Sequence, residues 1–313
     1  MRRRKSGLSR RTFLVSSGAT IITKMTNSYG QASNQEIGTT MKHEQRQHPH
    51  PTKDENPHLK KQVVYSKKIP VKYECDVLVV GGGPAGIIAA QAAADNNLKV
   101  ALIESRSFLG GNMTIGLPIL GFLGQKKNQI IKGLPQKFID RLTERNAASE
   151  HQPCPLHMSI TFIEPEAVKI VALEMLREAG VDVLLYTFCS GVVMEEEHLR
   201  GVIIESKAGR EAILAKIIID CTGDADIAFC SGVPCEKGDE KGRMQPPTLM
   251  FSVQNVDIDK LRLSIVNQPQ CYSTDFIPPE YFGLNRQFIL VGLRNLIQKA
   301  RKNGLDLPTD RTI

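Results

Sequence analysis

Three glycines and one carboxylate have the types and the spacing needed to bind a dinucleotide. The run Gly81-Gly82-Gly83-Pro84-Ala85-Gly86 places glycines at its first, third and sixth positions, and Glu104 lies 23 residues after Gly81. In such a loop the first glycine allows a tight turn, the third leaves room for a pyrophosphate, and the sixth lets a helix pack closely. A carboxylate roughly 20 residues further on hydrogen-bonds a ribose hydroxyl. These residues therefore predict a dinucleotide site.

The segments around this loop predict the strands and the helix that would hold it in place. Residues 77–80 form an apolar run typical of a strand buried in a parallel sheet, and residues 99–103 form a second one. Residues 87–96 have a helical pattern, so Pro84 and Ala85 fall in the first helical turn, where a proline loses no hydrogen bond. The free N–H groups at that helix end would face the pyrophosphate. We therefore expect an α/β fold of the Rossmann type.

Two further segments lie where a flavin dinucleotide would need them. Residues 105–114 follow Glu104 directly and contain Gly110-Gly111, and the apolar stretch 215–220 leads into Cys221-Thr222-Gly223-Asp224. Both segments resemble the glutathione-reductase-like FAD-binding superfamily, in which a Gly-Gly loop follows the cofactor and a Thr-Gly-Asp turn closes back on it. The span 74–257 resembles the bacterial FAD-dependent oxidoreductase family and, more distantly, the fumarate reductase flavoproteins.

The resemblance implies FAD as the cofactor and hydride or electron transfer to a small organic substrate as the activity. FAD is expected to be held without a covalent bond, because the loop after Gly111 has no histidine or cysteine to attach it. Cys189 is included only through its backbone, in the segment that meets adenine in this superfamily. No residue is assigned a catalytic role. The predicted cofactor-binding residues are Gly81, Gly83, Pro84, Ala85, Gly86, Glu104, Ser105, Arg106, Gly110, Gly111, Asn112, Met113, Thr114, Cys189, Thr222, Gly223 and Asp224.

The pattern between these segments predicts a helix, a strand and a β-meander. The helix covers residues 164–179 and the strand residues 181–186. Three short strands, joined by polar turns, are expected at 191–195, 201–206 and 211–214. Together with the dinucleotide loop they would make up an FAD-binding domain over residues 71–245.

Residues 246–313 predict the beginning of a substrate domain, or cap, with a strand at 248–253 and helices at 257–266 and 286–303. In the superfamily that the chain resembles, a final glycine–aspartate segment returns to the flavin, and the sequence does not contain it. We therefore expect a C-terminally truncated chain. The alternative to an active oxidoreductase is a non-catalytic FAD-binding half that needs a partner chain to supply the missing part.

The amino terminus has the features of an export signal. Ser9-Arg10-Arg11-Thr12-Phe13-Leu14 precedes a short apolar stretch, and small residues at Gly30 and Ala32 suit cleavage after Ala32. This resembles a twin-arginine (Tat) signal over residues 1–32, which implies export of the folded protein to the periplasm or the exterior. Residues 33–70 are polar and lack hydrophobic periodicity, so they predict a disordered linker.

Composition and charge argue against other classes of partner. The net charge of +7 belongs to the first 73 residues, which hold 15 Lys/Arg against 4 Asp/Glu, while the remainder holds 25 against 29. The folded part is therefore mildly acidic and lacks a polyanion-binding surface, so no nucleic acid is expected. No apolar run is long enough to span a bilayer, so no membrane segment is expected apart from the signal. An NAD(P)-binding Rossmann protein is the other class considered, and it would need Gly110-Gly111 and Thr222-Gly223-Asp224 to be coincidences.

Cysteines and histidines give little support for a metal site. The seven cysteines are scattered without a Cys-x-x-Cys pair, and Cys230 and Cys235 are the two whose spacing would allow a disulfide. His151 and His157 lie in a polar loop where a substrate could approach, although exposed surface histidines are the commoner explanation. No metal is therefore expected.

Overall fold

The computed structural model describes residues 66–154, 157–245, 248, 250, 252–272, 277–285 and 287–307, together with the backbone of Thr20–Ile22. The expected signal over residues 1–32 lies outside the described residues except for Thr20–Ile22. The expected linker over 33–70 lies outside them except for residues 66–70, which form no helix or strand.

Strands and helices are interspersed up to Cys230, and the elements after it in the described ranges are helices. The strands are β1 (Thr20–Ile22), β2 (Val71–Val80), β3 (Val100–Ile103), β4 (Ile119–Leu120), β5 (Gln152–Cys154), β6 (Met158–Thr161), β7 (Asp182–Leu184), β8 (Phe188–Glu195), β9 (His198–Ser206) and β10 (Gly209–Asp220). The helices are α1 (Pro84–Ala94), α2 (Leu134–Glu144), α3 (Pro165–Glu178), α4 (Asp226–Cys230), α5 (Ile258–Asn267), α6 (Glu280–Leu284) and α7 (Arg294–Lys302), with 3-10 helices at Gly111–Thr114 and Pro269–Cys271.

Four parallel strands carry the predicted dinucleotide loop. They lie in the order β7-β3-β2-β10, and residues 77–80 of β2 pair with residues 100–103 of β3. Because the strands are parallel, their carboxyl ends meet at one edge of the sheet. Gly81, Glu104 and Cys221 each follow directly after one of these ends. The expected Rossmann-type α/β architecture is confirmed.

The β-meander is continuous with the parallel sheet because β10 belongs to both. Residues 209–214 pair antiparallel with β9, and residues 212–220 pair parallel with β2, with a register shift between Ala212 and Ile213. β8 completes the meander on β9, and the short β1 pairs antiparallel with residues 218–220 of β10. The sequence patterns at 211–214 and 215–220, interpreted above as separate segments, are therefore one strand of 12 residues.

Apolar side chains on the two faces of the sheet form two cores. On one face Val77, Val79 and Leu102 pack with side chains of α1, α2 and α3. On the other face Leu78 and Val80 pack with side chains of the meander and α4. Strands buried on both faces explain why residues 77–80 and 100–103 are apolar at every position. This packing fixes the edge at which the loops emerge.

The part of the chain after residue 245 departs from the sequence-based expectation. The described residues of the predicted strand at 248–253, namely 248, 250, 252 and 253, lie outside any strand. The helix predicted at 257–266 is present as α5, but the one predicted at 286–303 begins only at Arg294. Phe288 and Leu290 instead pack against a small core formed by Ile265, Ile277 and Phe282. Gly292 forms an antiparallel β-bridge with Tyr272.

Within the described ranges, no helix is both long enough and apolar enough to cross a membrane.

Candidate cofactor site

The glycine loop after β2 is closed on two sides and open on the third. Gly81 has a positive φ of 104°, and a Cβ there would lie 2.3 Å from the carbonyl oxygen of Cys221. A Cβ on Gly86 would lie 1.8 Å from the carbonyl oxygen of Gly81, so α1 approaches the loop more closely than any side chain would allow. In contrast, a Cβ on Gly83 would meet no atom within 4 Å. Gly83 therefore borders open space at the amino-terminal end of α1, which begins at Pro84.

The carboxylate of Glu104 is hydrogen-bonded to the backbone on both sides of the site. One oxygen accepts from the N–H of Gly82 at 2.8 Å, and the other accepts from the N–H of Arg106 at 2.8 Å and from the Ser105 hydroxyl at 3.1 Å. These donors orient the half-buried carboxylate at the end of β3. The oxygen bonded to Gly82 has a second lone pair, so the group retains the capacity to accept from a sugar hydroxyl.

The loop that contains Gly110-Gly111 lies directly against the glycine loop. The N–H of Gly110 donates to the carbonyl of Gly82 at 2.8 Å, and a Cβ on Gly111 would lie 3.0 Å from the Cα of Gly83. The 3-10 helix Gly111–Thr114 follows, in which the Thr114 hydroxyl donates to the Gly111 carbonyl at 2.6 Å and Met113 is buried. The segment predicted to follow the cofactor is therefore adjacent to the predicted pyrophosphate position.

The turn after β10 is organised by a buried carboxylate that the sequence analysis did not single out. Asp220 is 3% exposed. One of its oxygens accepts from the N–H and the hydroxyl of Thr222, at 3.1 and 2.7 Å. The other accepts from the N–H groups of Ile227 and Ala228, at 2.9 and 3.0 Å. Four donors thus fix the Thr222-Gly223-Asp224 turn to the start of α4. The signal in the sequence that could have identified Asp220 is a charged residue at the end of a buried strand.

Cys221 connects this turn to the glycine loop. Its N–H donates to the carbonyl of Val80 at 2.8 Å, and its own carbonyl lies over Gly81. Burial raises the pKa of the Cys221 thiol to about 11. The thiol is therefore protonated at neutral pH and acts as a small packing group, as expected for the position.

Cys189 lies outside this junction. It is on β8, its side chain packs against the second core, and its thiol donates to the carbonyl of Gly191 at 3.4 Å. Burial raises its pKa to about 11. The structure thus brings together the predicted residues of the loops at 81–86, 104–106, 110–114 and 222–224, while Cys189 is not among them.

His151 and His157, the two histidines expected in a polar loop, both have side-chain partners, and so does Cys154. No disulfide joins Cys230 to Cys235, and no group of three or more His, Cys, Asp or Glu side chains in the described ranges has the arrangement of a metal site. His151 is half-buried rather than exposed, because its ring stacks on Phe122 at 4.3 Å and bonds to Thr161 and Gln136 at 2.7 and 2.9 Å. Burial lowers the pKa of His151, which favours the neutral ring.

An apolar cavity of about 80 Å³ lies beside the site. Pro84, Ile87 and Ile88 of α1 form one wall, and Met113 forms part of another. The remaining wall comes from α2 and from residues 119–122, in which Phe122 also stacks on His151.

Replacing Glu104 with alanine is expected to weaken FAD binding by about 1.5–3 kcal/mol, because a charged acceptor for the ribose is lost. The N–H of Gly82 in the glycine loop would also lose its acceptor on Glu104, so the loss of affinity should lie toward the upper end of this range. Titration of the apoprotein with FAD, followed by flavin fluorescence, measures the change in affinity. Glu104→Gln, which keeps one carbonyl acceptor, is the matched control, and an unchanged affinity in the alanine variant would assign the ribose to other residues.

The residues present fit a flavin dinucleotide. Gly83 leaves open space where a pyrophosphate needs it, the N–H groups of α1 face that space, and Glu104 is placed for the ribose. Parallel strands with a glycine loop, an acidic residue after the second strand and a Thr-Gly-Asp turn define an FAD-binding protein of the Rossmann class. The chain belongs to the FAD dependent oxidoreductase family, whose model matches residues 76–306. The cofactor expected from the sequence, FAD, is thereby confirmed, and the NAD(P) alternative is set aside.

Several characterised enzymes are similar to parts of this chain. Thiamine thiazole synthase of Methanococcus vannielii is 29% identical over 167 residues, covering 49% of this chain and 58% of that enzyme. Digeranylgeranylglycerophospholipid reductase 1 of Methanococcoides burtonii is 26% identical over 203 residues, covering 61% of this chain and 47% of that enzyme. The chain spans about half the length of these curated relatives.

Solved structures give matches of similar extent. A geranylgeranyl bacteriochlorophyll reductase-like protein from Thermoplasma acidophilum has a TM-score of 0.36 and 21% identity, covering 51% of this chain and 42% of its own. L-proline dehydrogenase from P. horikoshii has a TM-score of 0.38 and 15% identity, covering 54% of this chain and 58% of its own.

Proposed function

We propose that this chain binds FAD non-covalently and uses it to oxidise or reduce a small organic substrate. The observation that carries the proposal is the meeting of three loops at one sheet edge, around the open space beside Gly83. Bound FAD supplies the hydride or electron chemistry, while the protein binds, orients and shields it. The family to which the chain belongs supports both the cofactor and the reaction class.

Each loop has a distinct role in this proposal. The amino-terminal end of α1 binds the pyrophosphate through its free N–H groups, and Glu104 accepts from the ribose. Asn112 and Thr114, on the 3-10 helix beside Gly83, lie on the path toward the flavin. The Thr222-Gly223-Asp224 turn, held by Asp220, closes the site from the side of β10. No histidine or cysteine lies between Gly111 and Leu120, so attachment without a covalent bond is favoured.

The experiment is an absorption spectrum of the purified protein, followed by heat release and identification of the flavin. We expect two flavin absorption bands and released FAD, and the bands should bleach when a substrate or an electron donor reduces the bound cofactor. If apoprotein refolded with excess FAD bound none, the proposal would be wrong. Bound FAD that dithionite reduces, but that no substrate or other electron donor turns over, would instead favour the second candidate, an FAD-binding half that requires a partner chain.

We further propose that the Tat-type signal exports the protein. The arginine pair Arg10-Arg11 supports this, as does the cofactor, because Tat export carries proteins already folded around their cofactors. Replacing both with lysine is expected to abolish the mature exported form and leave the protein in the cytoplasm, as measured by fractionation and immunoblotting. The control replaces Arg2 and Arg3, which lie outside the pair. Equal export of the two variants would contradict the proposal.

A further inference from the structure

The net charge of the folded part conceals an uneven distribution of charge along the chain. Residues 105–139 contain five Lys/Arg and no Asp or Glu, whereas the rest of residues 74–313 holds 20 Lys/Arg against 29 Asp/Glu. One segment is therefore purely cationic, while the remainder of the folded part is anionic.

The middle of this cationic segment forms a small β-hairpin, residues 119–131. It begins with β4, and Leu123 forms an antiparallel bridge with Gln129 on the returning side. Lys126 and Lys127 lie in the turn between these two residues, and both are exposed. Neither lysine takes part in an ion pair of the described chain. The tip of the hairpin therefore presents two positive charges to the solvent.

Apolar side chains of the hairpin and of the residues just before it are also exposed. Ile115 and Leu120 are each 43% exposed, Ile130 is 56% exposed and Ile131 is 39% exposed. Phe122 is in contrast buried in the core that packs α1, α2 and α3, so the hairpin is fixed to the body of the protein. Core packing does not account for four exposed apolar side chains close together in the chain.

We propose that this hairpin is a docking surface for a membrane that contains anionic lipids. Exposed apolar side chains beside lysines suit the boundary between headgroups and acyl chains, because the apolar groups leave water while the ammonium groups contact anionic headgroups. The carboxylates of the remaining folded part are repelled by the same lipids, so the charge distribution selects the face that approaches. A protein partner matches this surface less well, since lysine is depleted at protein–protein interfaces.

The first test places a fluorophore on the hairpin. The chain contains no tryptophan, so Ile130→Trp introduces a single one. On vesicles that contain phosphatidylglycerol its emission should shift to shorter wavelength and be quenched by brominated lipid chains, and on pure phosphatidylcholine both effects should be much smaller. Phe229→Trp is the matched control, because Phe229 is 59% exposed on α4, which packs on the opposite face of the sheet through Ile227. Its emission should not change.

The second test removes the charges at the tip. Lys126→Gln combined with Lys127→Gln, in the Ile130→Trp background, should lower the affinity of the hairpin for phosphatidylglycerol vesicles about 30-fold, as expected for two lysines near an anionic surface. The control combines Lys237→Gln with Lys241→Gln, two exposed lysines outside the hairpin, and changes the net charge equally. All variants keep the basic amino-terminal segment, so its own attraction to the lipid is the same throughout.

Three results would overturn the docking surface. They are an unchanged emission of the hairpin tryptophan on anionic vesicles, an equal loss of affinity in the two charge variants, and an emission shift that needs no lipid but grows with protein concentration. The last result would assign the surface to a second copy of the chain. None of these measurements requires bound FAD, so their failure is distinguishable from a failure of the proposed function.

Discussion

Gly83→Val is expected to yield a folded protein that retains no FAD. A Cβ at Gly83 meets no atom within 4 Å, and its φ of −75° and ψ of −172° suit a branched residue, so the apoprotein should fold normally. The valine would fill the space beside the first N–H groups of α1, where the pyrophosphate must lie. We expect the flavin content after purification to fall at least about 100-fold, which corresponds to about 2.7 kcal/mol of lost binding. Absorbance at the flavin bands relative to protein measures it.

Gly86→Val provides the contrast that identifies the cause. A Cβ there would lie 1.8 Å from the carbonyl oxygen of Gly81, so this variant should lose the fold itself. Circular dichroism and thermal unfolding should therefore distinguish a folded Gly83 variant from an unfolded Gly86 variant, although both lack flavin. A normal flavin content in Gly83→Val would show that the pyrophosphate binds elsewhere.

Asp220→Ala is expected to lower the free energy of unfolding by about 3 kcal/mol and to reduce FAD retention as well. The alanine leaves the N–H groups of Ile227 and Ala228 and both donors of Thr222 without their acceptor at a buried position. The turn that follows β10 would then lose its fixed conformation beside the cofactor. Denaturant unfolding of the apoprotein and FAD titration measure the two effects separately.

Asp224→Ala is the matched control for this prediction, because Asp224 lies in the same turn but is exposed. Its effect on the free energy of unfolding should be within about 0.5 kcal/mol, as for most surface substitutions. Asp220→Asn should be intermediate, since an amide keeps one acceptor oxygen but presents N–H groups in place of the other. An Asp220→Ala variant as stable as the Asp224 variant would show that water replaces the carboxylate without cost.

Local patterns in the sequence were sufficient to predict the strands, the glycine loop and the helices at the centre of the fold. The strand at 77–80, the glycine loop and the strand at 100–103 depend on nearest neighbours, on burial of both sheet faces and on a helix that begins at a proline. The helix expected at 164–179 is present as α3 for the same reason, with Pro165 at its start and Gly180 after its end. Apolar runs, a proline at the start of a helix and a glycine after its end can be recognised in the sequence alone, because few other conformations suit those residues.

What the sequence did not reveal depends on contacts between distant segments. The continuity of β10 results from pairing with two different strands along its length, and no local pattern records the change of partner. The role of Asp220 depends on α4 folding back to present its N–H groups. Residues 287–293, predicted as part of a helix at 286–303, are not helical, and Phe288 packs on Phe282 instead, where tertiary contact outweighs helical propensity.

The pairing of β10 with β2 also has a consequence for synthesis on the ribosome. Residue 220 emerges about 140 residues after residue 80, which at roughly 5–20 residues per second is an interval of roughly 7–28 seconds. Throughout that interval the apolar edge of β2 that later receives β10 is available to other chains, as is any unpaired strand edge. Slowing elongation between these two strands should therefore increase aggregation of the nascent chain, and chaperones that cover β2 should prevent it.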